Sequence, residues 1–253
     1  MPDLERLRSE RAFHDRQAHL RAATFASHFD SYRFVDADYL NHETWIRPAF
    51  EQLGDVADKP VLDFGCGHGM AAVVLARRGA QVTAFDLSPG YLHEARQRAA
   101  ANGAAVQFVE ADGERLPFGD GSFARIWGNA VLHHLDLQVA GSELYRVLSP
   151  GGIAVFCEPW AENPLLNWAR RRLPYAAKER TPDEEPLRHR ELDCLRVLFP
   201  RLEIHGFQLF SMLRRIVPSP LVAALDFADR VFLSCVPPAQ RFCRYVVLTL
   251  RRD

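Results

Sequence analysis

Val61-Leu-Asp-Phe-Gly-Cys-Gly-His-Gly69 decides the fold. An apolar run ends in an acidic residue, and three glycines follow at alternate positions. The pattern reads as a buried strand, a tight turn and a helix start. Gly65, Gly67 and Gly69 allow positive φ and let the backbone approach a ligand with no Cβ in the way. Asp63 sets the kind of ligand. A dinucleotide site offers its glycine loop and helix N-terminus to a pyrophosphate. A carboxylate two residues before the first glycine repels that anion and attracts an ammonium group. The spacing, G-x-G-x-G, also departs from the dinucleotide fingerprint G-x-G-x-x-G.

Outward from this stretch, further segments follow in order. A second strand, Ala80-Gln-Val-Thr-Ala-Phe-Asp86, precedes Leu87-Ser88-Pro89, and Asp86 lies 21 residues after Gly65, where a Rossmann-like unit places an acidic residue. Then come Val106–Glu110, Ala111-Asp112-Gly113-Glu114-Arg115-Leu116-Pro117-Phe118, the strand and turn from Phe123 to Leu135, and Leu148–Pro159. Taken together these segments resemble the motifs of class I S-adenosylmethionine (SAM)-dependent methyltransferases, closely over residues 42–159 and loosely elsewhere. The group that it resembles includes ubiquinone/menaquinone-biosynthesis-like and natural-product O-, C- and N-methyltransferases. The resemblance implies SAM as cofactor and S-adenosylhomocysteine as product. It implies that Asp63 and the Gly65-Cys66-Gly67 loop hold the methionine part and that Asp86 accepts from the ribose hydroxyls. It places Leu87 against the adenine, Asp112 at its amino edge and Gly113 as a backbone donor, with Asn129 at the rim of the same crevice.

The chain has 253 residues, 48% hydrophobic and 25% charged, with formal net charge −1. This suits one large domain. No global field favours nucleic acid. Arg170-Arg171-Arg172 is a local basic run, read as a solvated helix end in preference to an anion site. Five cysteines (66, 157, 194, 235 and 243) are an odd number without C-x-x-C, which favours a reduced cytoplasmic setting over disulfides or zinc. The charged N-terminus does not read as a secretory signal, and no stretch has about 18 uninterrupted apolar residues to span a membrane.

Strands and helices alternate through the middle of the chain: strand 60–64, helix 68–78, strand 81–86, helix 89–102, strand 105–110, strand 123–128, helix 136–148 and strand 152–158. The alternation predicts an α/β fold with a parallel sheet and helices on both faces. Asp63, Gly65, Asp86, Asp112, Asn129 and Glu158 all fall at C-terminal strand ends, so one crevice can collect them. Residues 1–54 read as an N-terminal helical lid, with a surface helix over 3–25 and a second over 36–53. Residues 55–159 form the Rossmann-like core and 160–253 complete the domain with acceptor-binding insertions. In that last part, 163–173 and 187–199 read as helices, 178–186 as a mobile polar loop, and 201–211 as a strand. The resemblance makes 244–250 the antiparallel strand that completes a seven-stranded sheet. Leu221–Val236, a helical insertion before it, has a narrow polar stripe and a broad apolar face. That face reads first as packed on the sheet or on a partner subunit, making a homodimer a candidate assembly. An acceptor wall and a membrane-surface helix are the other readings.

Methyl transfer from a sulfonium is an in-line displacement with a good leaving group, so the protein chiefly aligns the acceptor and excludes water. A general base helps when the acceptor is a hydroxyl. His133 and His134 follow the fourth strand and could take a proton, or could simply start the next helix. Glu158 could orient an acceptor or cap the next segment. His28, Tyr32 and His42 belong to the lid, where Tyr32 could reach the cofactor carboxylate or pack as an aromatic. His68 reads as pointing to solvent or the helix start. Asn/Asp-Pro-Pro-Tyr, the motif of enzymes acting on amide or base amino nitrogens, is missing; Gly128-Asn129-Ala130-Val131 stands in its place. No cysteine sits where a carbon-methylating RNA enzyme would need one, and no metal cluster is evident. The function expected is methyl transfer to a small, hydrophobic acceptor. A peptide or protein methyltransferase and a non-catalytic SAM-binding scaffold are the alternatives.

Overall fold

The computed structural model describes residues 4–25, 29–172 and 185–253. Seven strands form one sheet: β1 (Pro60–Phe64), β2 (Gln81–Asp86), β3 (Val106–Glu110), β4 (Phe123–Asn129), β5 (Leu148–Pro159), β6 (Glu203–Phe207) and β7 (Tyr245–Arg251), in the order β3-β2-β1-β4-β5-β7-β6. Strands β1 to β5 pair in parallel, and β7 lies antiparallel between β5 and β6. The central strands are apolar on both faces because both are covered. One face holds Ile46, Phe50 and Leu53 of α3 (Ile46–Leu53) and the apolar residues of α4 (Met70–Arg77), packed on Trp127. The other holds Leu144 of α6 (Leu137–Val147) and Leu195 of α8 (Asp193–Leu198), packed with Phe64 and Phe156. Chain order reverses between β1 and β4, so a crevice opens beyond their C-terminal ends.

The turn after β1 carries the conformation its glycines imply. Gly65, Gly67 and Gly69 have φ of 68°, 49° and 81°. Gly69 starts α4 against α5 (Pro89–Ala101), where a Cβ would stand 2.7 Å from Ala95 Cβ and 3.0 Å from Ala95 Cα. Gly69→Ala therefore meets both left-handed strain and a backbone clash. It is expected to cost about 2–4 kcal/mol in chemical denaturation; a cost under about 0.5 kcal/mol contradicts this packing.

Four expectations are corrected. The helix over 36–53 is two, α2 (Asp36–Leu40) and α3, broken at residues 41–45. Asn41 ends α2 and its side chain takes two bonds from Arg47, while Trp45 turns inward to stack on Tyr245 at 3.8 Å. Strand 201–211 shortens to β6, because Gln208 adopts φ 63° and Asp229 captures the next three backbone N–H groups, those of Leu209, Phe210 and Ser211. Asp229 belongs to α9 (Ser219–Cys235), whose broad apolar face was read first as packed on the sheet or on a partner subunit. Instead Asp229 and Leu233 are buried, while Leu221, Phe227, Val231 and Phe232 are exposed. Helix 187–199 is a short 3-10 turn, His189–Leu192, followed by α8. The helix expected at 163–173 is α7 (Pro164–Arg172), where Arg170 donates to the Trp160 carbonyl. Of the expected mobile loop, residues 178–184 lie outside the described residues, as does His28.

The charged surface helix α1 (Leu4–Phe25) lies against α5. Asp15 accepts from Ser88 Oγ at 2.5 Å and from Gly90 N at 3.2 Å, at the N-terminus of α5. Arg21 and Arg98 share Glu94 at 3.1 and 2.8 Å. Polar residues make this contact, so apolar periodicity does not announce it.

Candidate active site

A cavity of about 260 Å³ opens at the switch point. Asp63, Gly65, Cys66, Gly67, Asp86, Leu87, Asp112, Gly113 and Asn129 all line it, and so does His134. Helix α1 supplies Arg6, Leu7, Glu10 and His14, which sequence reasoning missed.

The loop after β1 is held by β2. Cys66 N donates to Phe85 O at 2.8 Å, and Gly67 N to Asp86 Oδ2 at 2.8 Å. Ser88 N donates to Asp86 Oδ1 at 2.9 Å. Asp86 thus aligns the glycine loop and the start of α5 while facing the cavity. Asp112 Oδ1 accepts from Glu114 N at 2.9 Å, fixing the turn after β3. At Gly113 a Cβ would lie 2.9 Å from the Phe64 ring, so only glycine fits there without movement. Cys66 is buried with its thiol pushed well up by burial and by Asp86, which excludes a ready thiolate.

The buried atoms of this cavity that make no hydrogen bond include two side-chain oxygens at strand ends, Asp63 Oδ2 and Asn129 Oδ1. Burial, with a smaller contribution from the neighbouring Asp86, pushes the Asp63 carboxyl up to about 8. A backbone hydrogen bond from Ala72 opposes this rise, but a buried carboxyl oxygen left without a partner is costly unless a ligand completes it. The turn carrying Asn129 is itself strained, because Ala130 has φ 56° outside glycine's usual territory.

The catalytic candidates separate. His134 lines the cavity. His133 does not: its Nδ1 lies 2.7 Å from Glu158 Oε2, with both side chains buried. Glu158 Oε1 accepts from Val131 N at 3.0 Å and Leu132 N at 2.8 Å. Glu158 therefore sits beneath the turn as a brace for the β4 loop, away from the rim expected for it, and His133 is tied to that brace. His68, expected to point to solvent or the helix start, borders both this cavity and a second one of about 520 Å³. Burial, then Arg21 and Arg98, push its pKa down to about 3, so its ring is neutral. Tyr39, Met70 and Asn129 border both cavities too. The second cavity is walled by Tyr32, Phe34, Trp45, Ile46, His42 and Tyr245 among others. Tyr32 faces that cavity with Arg98 5.5 Å over its ring, and does not line the first. The sequence already places Tyr32 and His42 in the lid, whereas Phe34, Trp45, Ile46, Arg244 and Tyr245 join this wall only through the fold.

Residues 62–156 match the family model described as "Methyltransferase domain". Among curated proteins, the demethylmenaquinone methyltransferase of Thermus thermophilus is 40% identical over 117 residues, 45% of this chain and 53% of that one. The malonyl-[acyl-carrier protein] O-methyltransferase of Enterobacter lignolyticus is 40% identical over 115 residues, 45% of this chain and 44% of that one. The matched stretch spans about half the length of these relatives. Among solved structures, geranyl diphosphate C-methyltransferase from Streptomyces coelicolor A3(2), crystallised with Mg2+, geranyl diphosphate and S-adenosyl-L-homocysteine, superposes with TM-score 0.57 at 22% identity, covering 82% of this chain and 78% of that one. The [4+2]-cyclase SpnF superposes with TM-score 0.54 at 23% identity, covering 82% and 80%. The fold is therefore the seven-stranded methyltransferase fold, and a cyclase shares it, so activity has to be argued from the site. Among the described residues no helix is long and apolar enough to cross a membrane.

Proposed function

We propose that the chain is a SAM-dependent methyltransferase acting on a small, largely hydrophobic acceptor. The observation that carries this is the pair of unpartnered buried oxygens, Asp63 Oδ2 and Asn129 Oδ1, in a cavity that Asp86 and Asp112 also line. Two acceptors, one a carboxylate, fit the α-ammonium of SAM, and no pyrophosphate would sit there. Asp86 would hold the ribose and Leu87, Asp112 and Gly113 the adenine. Bound SAM supplies an electrophilic methyl group on a positively charged sulfur. The chain's own part is to hold the acceptor in line and keep water away. The second, aromatic cavity fits the acceptor, and the junction bordered by Tyr39, His68, Met70 and Asn129 fits the path between them. His134 faces the first cavity and is the proton acceptor favoured by placement; Glu158 and His133 would act by holding the turn.

The likeness to quinone, acyl-carrier-protein and terpenoid methyltransferases supports the substrate class. On this reading 1–54 serve as lid, 55–159 as cofactor platform and 160–253 as the acceptor-side completion. Five free cysteines suit a reducing cytoplasm, and the exposed apolar side of α9 suits a second copy. A net charge of −1 leaves no reason to invoke nucleic acid.

The test is incubation with methyl-labelled SAM and a cell extract, followed by separation of organic, aqueous and protein fractions. Label in the organic fraction is expected; label confined to protein, or bound SAM with no turnover, overturns the acceptor class. Asp86→Ala is expected to weaken SAM binding by about 1–3 kcal/mol in calorimetry, through lost charge-assisted hydrogen bonds. Unchanged affinity would remove Asp86 from the cofactor site.

A further inference from the structure

Glu10 and His14 stand one turn apart on α1, on the same side of the helix. His134 comes from the turn after β4, 120 residues further along the chain than His14. The fold brings all three to one place on the cofactor-cavity wall, with one donor atom from each within 4.8 Å of the others. His134 Nδ1 lies 3.2 Å from Glu10 Oε2, and His14 Nε2 lies 3.4 Å from the same oxygen. Ligands on one tetrahedral ion with bonds of about 2.0–2.1 Å are separated by about 3.3 Å. Both distances match that separation.

The surroundings fix the donors. His14 packs edge-on to His134 at 5.5 Å and touches the rings of Phe13 and Tyr91. Arg6, one turn before Glu10, donates to the His134 carbonyl and pairs with Glu114, so its charge is already compensated and the His134 backbone is held. His134 Nδ1 makes no hydrogen bond.

We propose that Glu10, His14 and His134 bind one divalent transition-metal ion of the zinc, cobalt or nickel kind. Two imidazoles and one carboxylate select such ions over Mg2+ or Ca2+, which prefer oxygen. Three protein ligands leave a position open towards the cavity. The ion also clasps α1 to the turn after β4, so it orders the wall of the site. The site does not depend on which methyl donor fills the cavity, and with the ion bound His134 is a ligand and no longer the proton acceptor that placement favours in the metal-free protein.

The test is titration of the chelator-stripped full-length protein with Co2+, read by visible absorption. One equivalent is expected, with the d–d bands of a four- or five-coordinate nitrogen/oxygen site, displaced by Zn2+ and not by excess Mg2+. Glu10→Gln, His14→Ala and His134→Ala each weaken Co2+ binding at least tenfold, and Zn2+ raises the melting temperature of the native protein but not of His14→Ala. Absence of saturable uptake, equal uptake in the three variants, or thiolate-to-cobalt charge-transfer bands from the cysteines each overturn the proposal. The native spectrum decides the ligand type even if a variant fails to fold.

Discussion

Asp63→Asn is expected to produce a more stable protein that no longer holds its cofactor. The fold favours the neutral form of this carboxyl, because burial raises it from 3.8 to about 8. Its favourable contribution is complete below the unfolded value near 3.8 and is lost as pH rises through about 8, where a buried anion with one unpartnered oxygen sits in the interior. Asparagine copies the neutral shape and does not ionise. The stability difference should therefore grow between pH 4 and 8, reaching several kcal/mol, at roughly 2–4 °C of melting temperature per kcal/mol. Binding moves the other way. The amide offers no charge to an ammonium, and breaking one buried charged pair costs about 2–5 kcal/mol, a loss of about a hundredfold or more in SAM affinity. In the native protein SAM must displace the proton, so calorimetry near pH 7 in buffers of different ionisation heat should register close to one proton released. Affinity should climb by up to about tenfold per unit between pH 6 and 8. Affinity insensitive to pH, or an Asn variant that still binds, contradicts the assignment of Asp63 to the ammonium.

Glu158→Ala carries the largest expected loss of stability. It strips the acceptor from Val131 N, Leu132 N and the His133 ring at once, in a place with no solvent to replace it. Removing one member of such a buried charged network costs about 3–5 kcal/mol, or a fall of roughly 10 °C or more in melting temperature. Glu158→Gln retains one acceptor oxygen and should fall between the two. Scanning calorimetry on both variants checks this. A side chain that touched the acceptor would give the opposite pattern, a collapsed kcat with an unchanged melting temperature.

How far the sequence reveals the site depends on what holds each part. Asp63, the glycine loop and Asp86 are legible because a buried strand, a tight turn and a helix start leave their marks within a few adjacent residues. The order β1 to β5 is legible from the change of apolar period. The wall made by α1 is not, since its contacts run through Arg6, Glu10, Asp15 and Arg21, residue types that a periodicity reading assigns to water. Glu158 occupies a strand end that reads as a rim, yet it is wholly buried because the strained turn at Ala130 folds back over it. The early end of β6 depends on Asp229, some twenty residues later, and no local signal links the two. His68 looks peripheral from its neighbours in sequence and becomes central only when Tyr39 and Met70 arrive beside it.

The wall supplied by α1 divides authorship of the site. The stretch that matches other methyltransferases, 62–156, provides a floor and a set of anchoring oxygens. The facing side comes from α1, which lies outside that stretch. A protein built this way can change what it accepts by redrawing its first fifty residues and its last hundred, while the platform underneath stays the same. On the reading proposed above, the acceptors of relatives that match across that platform guide the chemistry, and the choice of molecule falls to the segments around it.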